Sequence, residues 1–147
     1  MNPVRGSCLC EGIRFELRMP SKWVAHCHCS LCRRAHGAPF VTWVGVKADQ
    51  FRITAGTELI GTYHSTPGAS RRFCKTCGSP LFFESQNWPD EVHIAVAHLK
   101  DPLDKAPQAH VHYDSKADWI VVKDGLPLHG APGTGPLLPN NTQKSDN

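Results

Sequence analysis

Short runs in which apolar and polar positions alternate, separated by turn residues, dominate this chain. Ile13, Phe15 and Leu17 alternate with Arg14, Glu16 and Arg18, which predicts a half-buried strand with one wet face. Before it, Val4 to Cys8 predicts a short strand ending in the turn Cys8-Leu9-Cys10, and Gly12 lets the chain reverse. Pro20-Ser21-Lys22 is a turn, and Trp23 to His26 a strand leading into Cys27. Ser30 to His36 predicts one or two helical turns, with Ser30 as N-cap and Gly37 followed by Pro39 as the stop. Phe40 to Val46 is the most apolar run and predicts a central strand. Further strands are expected over 50–54, 59–63 and 91–99, the last with Val92, Ile94 and Val96 alternating with His93, Ala95 and Ala97. Arg71-Arg72-Phe73 enters the turn Cys74-Lys75-Thr76-Cys77-Gly78, and Leu81-Phe82-Phe83 leaves it, in the order strand, turn, strand. Residues 64–70 and 101–109 read as irregular, 110–113 is ambiguous, and 118–122 fits a last strand or the end of a short helix. The pattern predicts a mainly β domain over 1–130, followed by a disordered polar tail over 131–147.

Composition narrows the chemistry. A chain of 147 residues buries about two thirds of its unfolded surface, so neither metal nor disulfide is obligatory for a core. No apolar run reaches eighteen residues and no charged-then-apolar leader opens the sequence, which predicts a soluble, unexported, cytoplasmic protein with no membrane partner. The formal charge is +3. Seven thiolates on two divalent ions would bring it to about zero. Arg33-Arg34 and Arg71-Arg72 are short pairs rather than a basic face, so nucleic acid is not an expected partner.

Cysteine usage carries the sharpest signal. In a reducing compartment, clustered cysteines indicate metal or thiol chemistry rather than disulfides, and seven is an odd number. Zinc takes four tetrahedral ligands, and close cysteine pairs let one turn aim two sulfurs at one point. The seven divide as four and three. Cys8 and Cys10 with Cys74 and Cys77 would build a closed structural site, and Cys27, Cys29 and Cys32 would hold a second zinc with one position left over. That position is either open, as in a catalytic zinc, or filled by a histidine. His26, His28 and His36 are near in sequence, and His36 or a distant histidine is a stronger candidate than His28, which lies between two ligands. A different partition, with two cysteines of the triplet joining Cys74 and Cys77, is also compatible with the spacing. Arg33 and Arg34 stand beside the triplet and could balance excess negative charge there. His93, His98, His110 and His112 read as ordinary strand or loop histidines.

Several stretches resemble the family of glutathione-dependent formaldehyde-activating enzymes, which includes the centromere protein V-like proteins. They are Gly6-Ser7-Cys8-Leu9-Cys10-Glu11-Gly12, His26-Cys27-His28-Cys29-Ser30-Leu31-Cys32-Arg33, Phe40-Val41-Thr42-Trp43 and Arg72-Phe73-Cys74-Lys75-Thr76-Cys77-Gly78-Ser79-Pro80-Leu81-Phe82. The resemblance covers roughly residues 4 to 125. It implies an Mss4-like, tent-like fold of stacked antiparallel β-sheets with zinc-binding turns. It also implies two zinc ions per chain, a structural one on Cys8, Cys10, Cys74 and Cys77 and a more labile, catalytic one on Cys27, Cys29 and Cys32. The activity implied is a carbon–sulfur lyase acting on the adduct of glutathione, or another small thiol, with formaldehyde or a related small carbonyl. The competing reading is a non-catalytic zinc module with a structural or protein-interaction role. Homo-oligomerisation is left open by either.

Overall fold

The computed structural model describes residues 2–131, and the expected tail lies, from residue 132 onward, outside them. The described residues contain ten strands and one seven-residue α-helix, a predominantly β-sheet protein. They fall into two compact units, one made of 2–23 and 43–106, the other of 24–42 and 107–131.

In the first unit, β1 (Val4–Ser7), β2 (Arg14–Leu17) and β5 (Phe51–Ala55) form an antiparallel sheet in the order β1-β2-β5. The alternation read from the sequence appears as burial of Ile13, Phe15 and Leu17, with Arg14 and Arg18 outside. A second antiparallel array runs β4 (Val41–Lys47), β9 (Glu91–Ala95), β8 (Pro80–Ser85), β7 (Ala69–Cys74) and β6 (Ile60–Tyr63). Phe15 of β2, Phe51 of β5 and Phe82 of β8 interlock, with centroid separations of 5.0 Å for Phe15–Phe82 and 4.8 Å for Phe51–Phe82. These edge-to-face contacts tie one sheet to the other through buried apolar area. The strand expected over 91–99 is shorter, because the chain turns into a 3-10 helix over Val96–His98. Its alternation does not survive as a wet face: His93 is buried with its neighbours Val92, Ile94 and Ala95, ringed by Trp23, Phe83 and Trp88.

In the second unit, β3 (Trp23–Cys27) runs into α1 (Ser30–His36). The helix N-cap is Cys29 rather than the expected Ser30, and Gly37 closes it in the left-handed region, at φ 58°, as a residue without a Cβ does most readily. The ambiguous stretch at 110 becomes β10 (His110–Val111), which pairs with β3 in parallel, His110 opposite His26 and Val111 opposite Cys27. This pair departs from the all-antiparallel arrangement expected from the resemblance. The hydrogen bonds His26 N–H to Ala109 O (2.9 Å) and His28 N–H to Val111 O (3.0 Å) fix the register. Residues 118–122 form neither strand nor helix; there Val122 packs with Tyr113 and Leu128 into a small core that Ile120 flanks.

Candidate metal centres and thiol site

Two turns in the first unit bring four sulfurs together. In the first, the Glu11 amide donates to Cys8 O (3.1 Å) and the Ile13 amide to Cys8 Sγ (3.3 Å), with Glu11 at a positive φ of 62°. In the second, the Gly78 amide donates to Cys74 O (2.8 Å), and Gly78 takes a φ of 77° that costs a residue without Cβ little. The Ser79 hydroxyl joins the two turns: its oxygen accepts the Leu9 amide at 3.0 Å and lies 3.2 Å from Cys77 Sγ.

The result is that Cys8, Cys10, Cys74 and Cys77 present sulfurs all within 4.8 Å of one another. A tetrahedral zinc with bonds of about 2.3 Å sets its sulfurs about 3.8 Å apart. The separations Cys8–Cys10 (3.5 Å) and Cys10–Cys74 (3.8 Å) match that edge, and they are far too long for disulfides. The thiols share their protons unequally. The Ser79 hydroxyl, then the Ser79 and Cys10 amides, draw Cys77 down to about 5. At Cys10 the Gly12 amide pulls downward but is outweighed, first by the Cys8 thiol, and the group rises to about 11. Crowded thiols ionise one at a time, and a divalent ion relieves that conflict by replacing the protons.

The triplet lies in the second unit, at the junction of β3 and α1. Cys27 and Cys32 are buried with sulfurs 3.7 Å apart, again the edge length of a tetrahedral thiolate site, and Cys29 is partly exposed. Donation first from Cys27 and then from Cys32 holds Cys29 far below the ordinary thiol range. Cys27 is pushed far above that range, first by Cys29, then by Cys32 and burial. His28 has Nε2 2.8 Å from His110 Nδ1, while its Nδ1 is buried without a hydrogen-bond partner. His36 occupies the last turn of α1. The Arg33 guanidinium donates to Ser115 O (3.1 Å) and, more weakly, to His28 O (3.4 Å). Arg34 is exposed.

The family model for glutathione-dependent formaldehyde-activating enzymes matches residues 3–115. This chain belongs to that family. A Schizosaccharomyces pombe protein named an uncharacterized lyase is 30% identical over 118 residues, spanning 80% of this chain and 84% of the relative. A crystal structure of a Rhodobacter sphaeroides protein shares the fold, with a TM-score of 0.59 and 24% identity over 70% of this chain and 97% of that one. All seven cysteines fall inside the stretch matched to the family.

Sequence reasoning missed His110. It sits at the centre of a histidine cluster, with Nδ1 on His28 and Nε2 2.7 Å from Asp124 Oδ2, while its ring packs 4.8 Å from that of His26. His26, His110 and Asp124 offer ligand atoms all within 4.8 Å of one another. Only the register of a two-residue parallel strand brings these positions together, and local periodicity carries no signal for such a pairing.

Proposed function

We propose that the chain is a zinc-dependent carbon–sulfur lyase that makes and breaks the adduct of a small thiol, such as glutathione, with formaldehyde or a related small carbonyl. The observation that carries this reading is the placement of the triplet at the junction of β3 and α1: Cys27 and Cys32 are buried with sulfurs 3.7 Å apart, and Cys29 between them in sequence is partly exposed. Cys27, Cys29 and Cys32 would hold one zinc, and Cys8, Cys10, Cys74 and Cys77 the other, the latter as a structural clamp. When bound at the triplet, zinc supplies a soft Lewis-acidic position that lowers the pKa of a ligating thiol.

The reaction balances simply. In the forward direction a thiol sulfur forms a bond to the carbonyl carbon, and the thiol proton ends on the carbonyl oxygen; the reverse breaks the same bond. Cys27 and Cys32 are buried and position the site, and Arg33 ties α1, the helix that carries Cys32, to the backbone at Ser115. Membership in the family and the lyase name of the yeast relative support this reaction class.

Calorimetric titration of the zinc-loaded chain with glutathione tests the assignment. The wild-type chain is expected to bind, and Cys29→Ser to bind at least about 100-fold more weakly. Equal binding by both would remove the triplet from the site.

A further inference from the structure

We propose that His26, His110 and Asp124 form a separate binding site for a divalent transition-metal ion, distinct from the cysteine sites. A hydrogen bond to Asp124 explains one nitrogen of His110. It leaves unexplained why His26 converges on the same point, with a ligand atom within 4.8 Å of both partners. Each donor is already oriented. His26 has Nδ1 2.8 Å from Thr42 Oγ1, and His110 has Nδ1 2.8 Å from His28 Nε2, so Nε2 is the nitrogen each ring would offer; in His110 it now bonds Asp124 Oδ2, and an ion would take the place of that bond's proton. Ligating histidines characteristically hold their other ring nitrogen in such a bond. Asp124 is fixed by its own turn: Oδ1 accepts the Leu126 amide at 3.1 Å, with Gly125 at a positive φ of 75°, and Oδ2 is left facing His110.

The backbone supports the same geometry. β10 is held on one side by β3 and on the other by Pro127 O, which accepts the His110 amide at 2.9 Å, and by the His129 amide, which donates to His110 O at 2.8 Å. His110 is buried, His26 is half-buried and Asp124 reaches the surface, so an ion has a path in from the Asp124 side. Two imidazoles and one carboxylate suit zinc, cobalt, nickel or ferrous iron rather than magnesium or calcium, which prefer oxygen ligands. Three protein ligands leave further positions for water or substrate. Asp124 lies outside the residues matched to the family, so the carboxylate is a property of this chain rather than of that match.

The test uses the full chain with its cysteine sites zinc-loaded and weaker sites cleared by a mild chelator, then titrated with Co2+. The wild-type chain should take up one further equivalent, with visible d–d bands and no near-ultraviolet thiolate-to-cobalt charge transfer. Asp124→Asn keeps the oxygen that caps Leu126 and should lose this equivalent. Thr42→Val frees the His26 ring and should weaken binding by about 10- to 100-fold. Failure of the wild-type chain to bind the extra equivalent, or unchanged binding by Asp124→Asn, would overturn the proposal. Charge-transfer bands report the cysteine sites separately, so a failure of the thiolate reading is distinguishable from a failure here.

Discussion

Cys10 and Cys74, 64 positions apart in sequence, lie with their sulfurs 3.8 Å apart. The contact joins the turn after β1 to the turn after β7. An ion here would close a long loop in the folded chain and could not find a preformed site in the unfolded one, so its binding energy is folding energy. Cys77→Ser is expected to cost several kcal/mol and to lose cooperative thermal unfolding, whereas Cys29→Ser should lose metal with the fold kept. Thermal melts beside zinc counts on both variants check this, and equal loss of folding in the two would contradict a structural and a reactive site.

Ser79 gives a finer test of the same clamp. Its oxygen accepts the Leu9 amide, and its hydroxyl stabilises the Cys77 thiolate. Ser79→Ala leaves that amide without its partner and should cost about 1–3 kcal/mol in chemical denaturation. Zinc affinity at the four-cysteine site should fall with it, which a competing chelator would measure.

Phe82 is buried where the two sheets of the first unit meet, against Phe15 and Phe51. Phe82→Ala is expected to cost about 3–5 kcal/mol, while Phe82→Leu, which refills most of the volume, should cost markedly less. Denaturant midpoints at constant slope would report the difference.

Stability should also fall in mild acid. Burial holds His93 below its ordinary pKa, against the opposing pull of Glu91, whose oxygen is 2.9 Å from the ring; Lys22 also pairs with Glu91. A depressed pKa means the folded chain binds fewer protons than the unfolded one. The contribution is therefore whole above the unfolded value of about 6.5 and is lost as pH falls below it towards the folded value. The loss is at most about 1.4 kcal/mol per pH unit. His93→Gln keeps a donor for Glu91 but does not titrate, so its urea midpoint should change less between pH 7 and pH 5 than that of the wild-type chain.

The sequence made β1, β2 and the two cysteine turns readable because their information is local: alternation of Ile13, Phe15 and Leu17, close cysteine spacing, and Gly78 where a positive φ is needed. The grouping of Cys8 and Cys10 with Cys74 and Cys77 was readable from close spacing, and their sulfurs do converge; for the triplet, the 3.7 Å approach of Cys27 and Cys32 covers two of its three members. The histidine cluster was illegible for the opposite reason. His26 and His110 meet only through parallel pairing with a two-residue strand, and Asp124 arrives from an irregular loop. Burial of His93 was likewise hidden, because an alternating strand reads as half wet until Trp23, Phe83 and Trp88 cover its outer side.

A reacting site at Cys27, Cys29 and Cys32 would speed the making and breaking of one carbon–sulfur bond. The most direct measurement is exchange of 13C-formaldehyde with its glutathione adduct, followed by exchange NMR with the zinc-loaded chain, Cys29→Ser and no protein. Exchange should be accelerated by the wild-type chain and reduced at least about 100-fold in a folded, four-cysteine-loaded Cys29→Ser. Exchange by the wild-type chain no faster than without protein, or equal acceleration by Cys29→Ser, would contradict it.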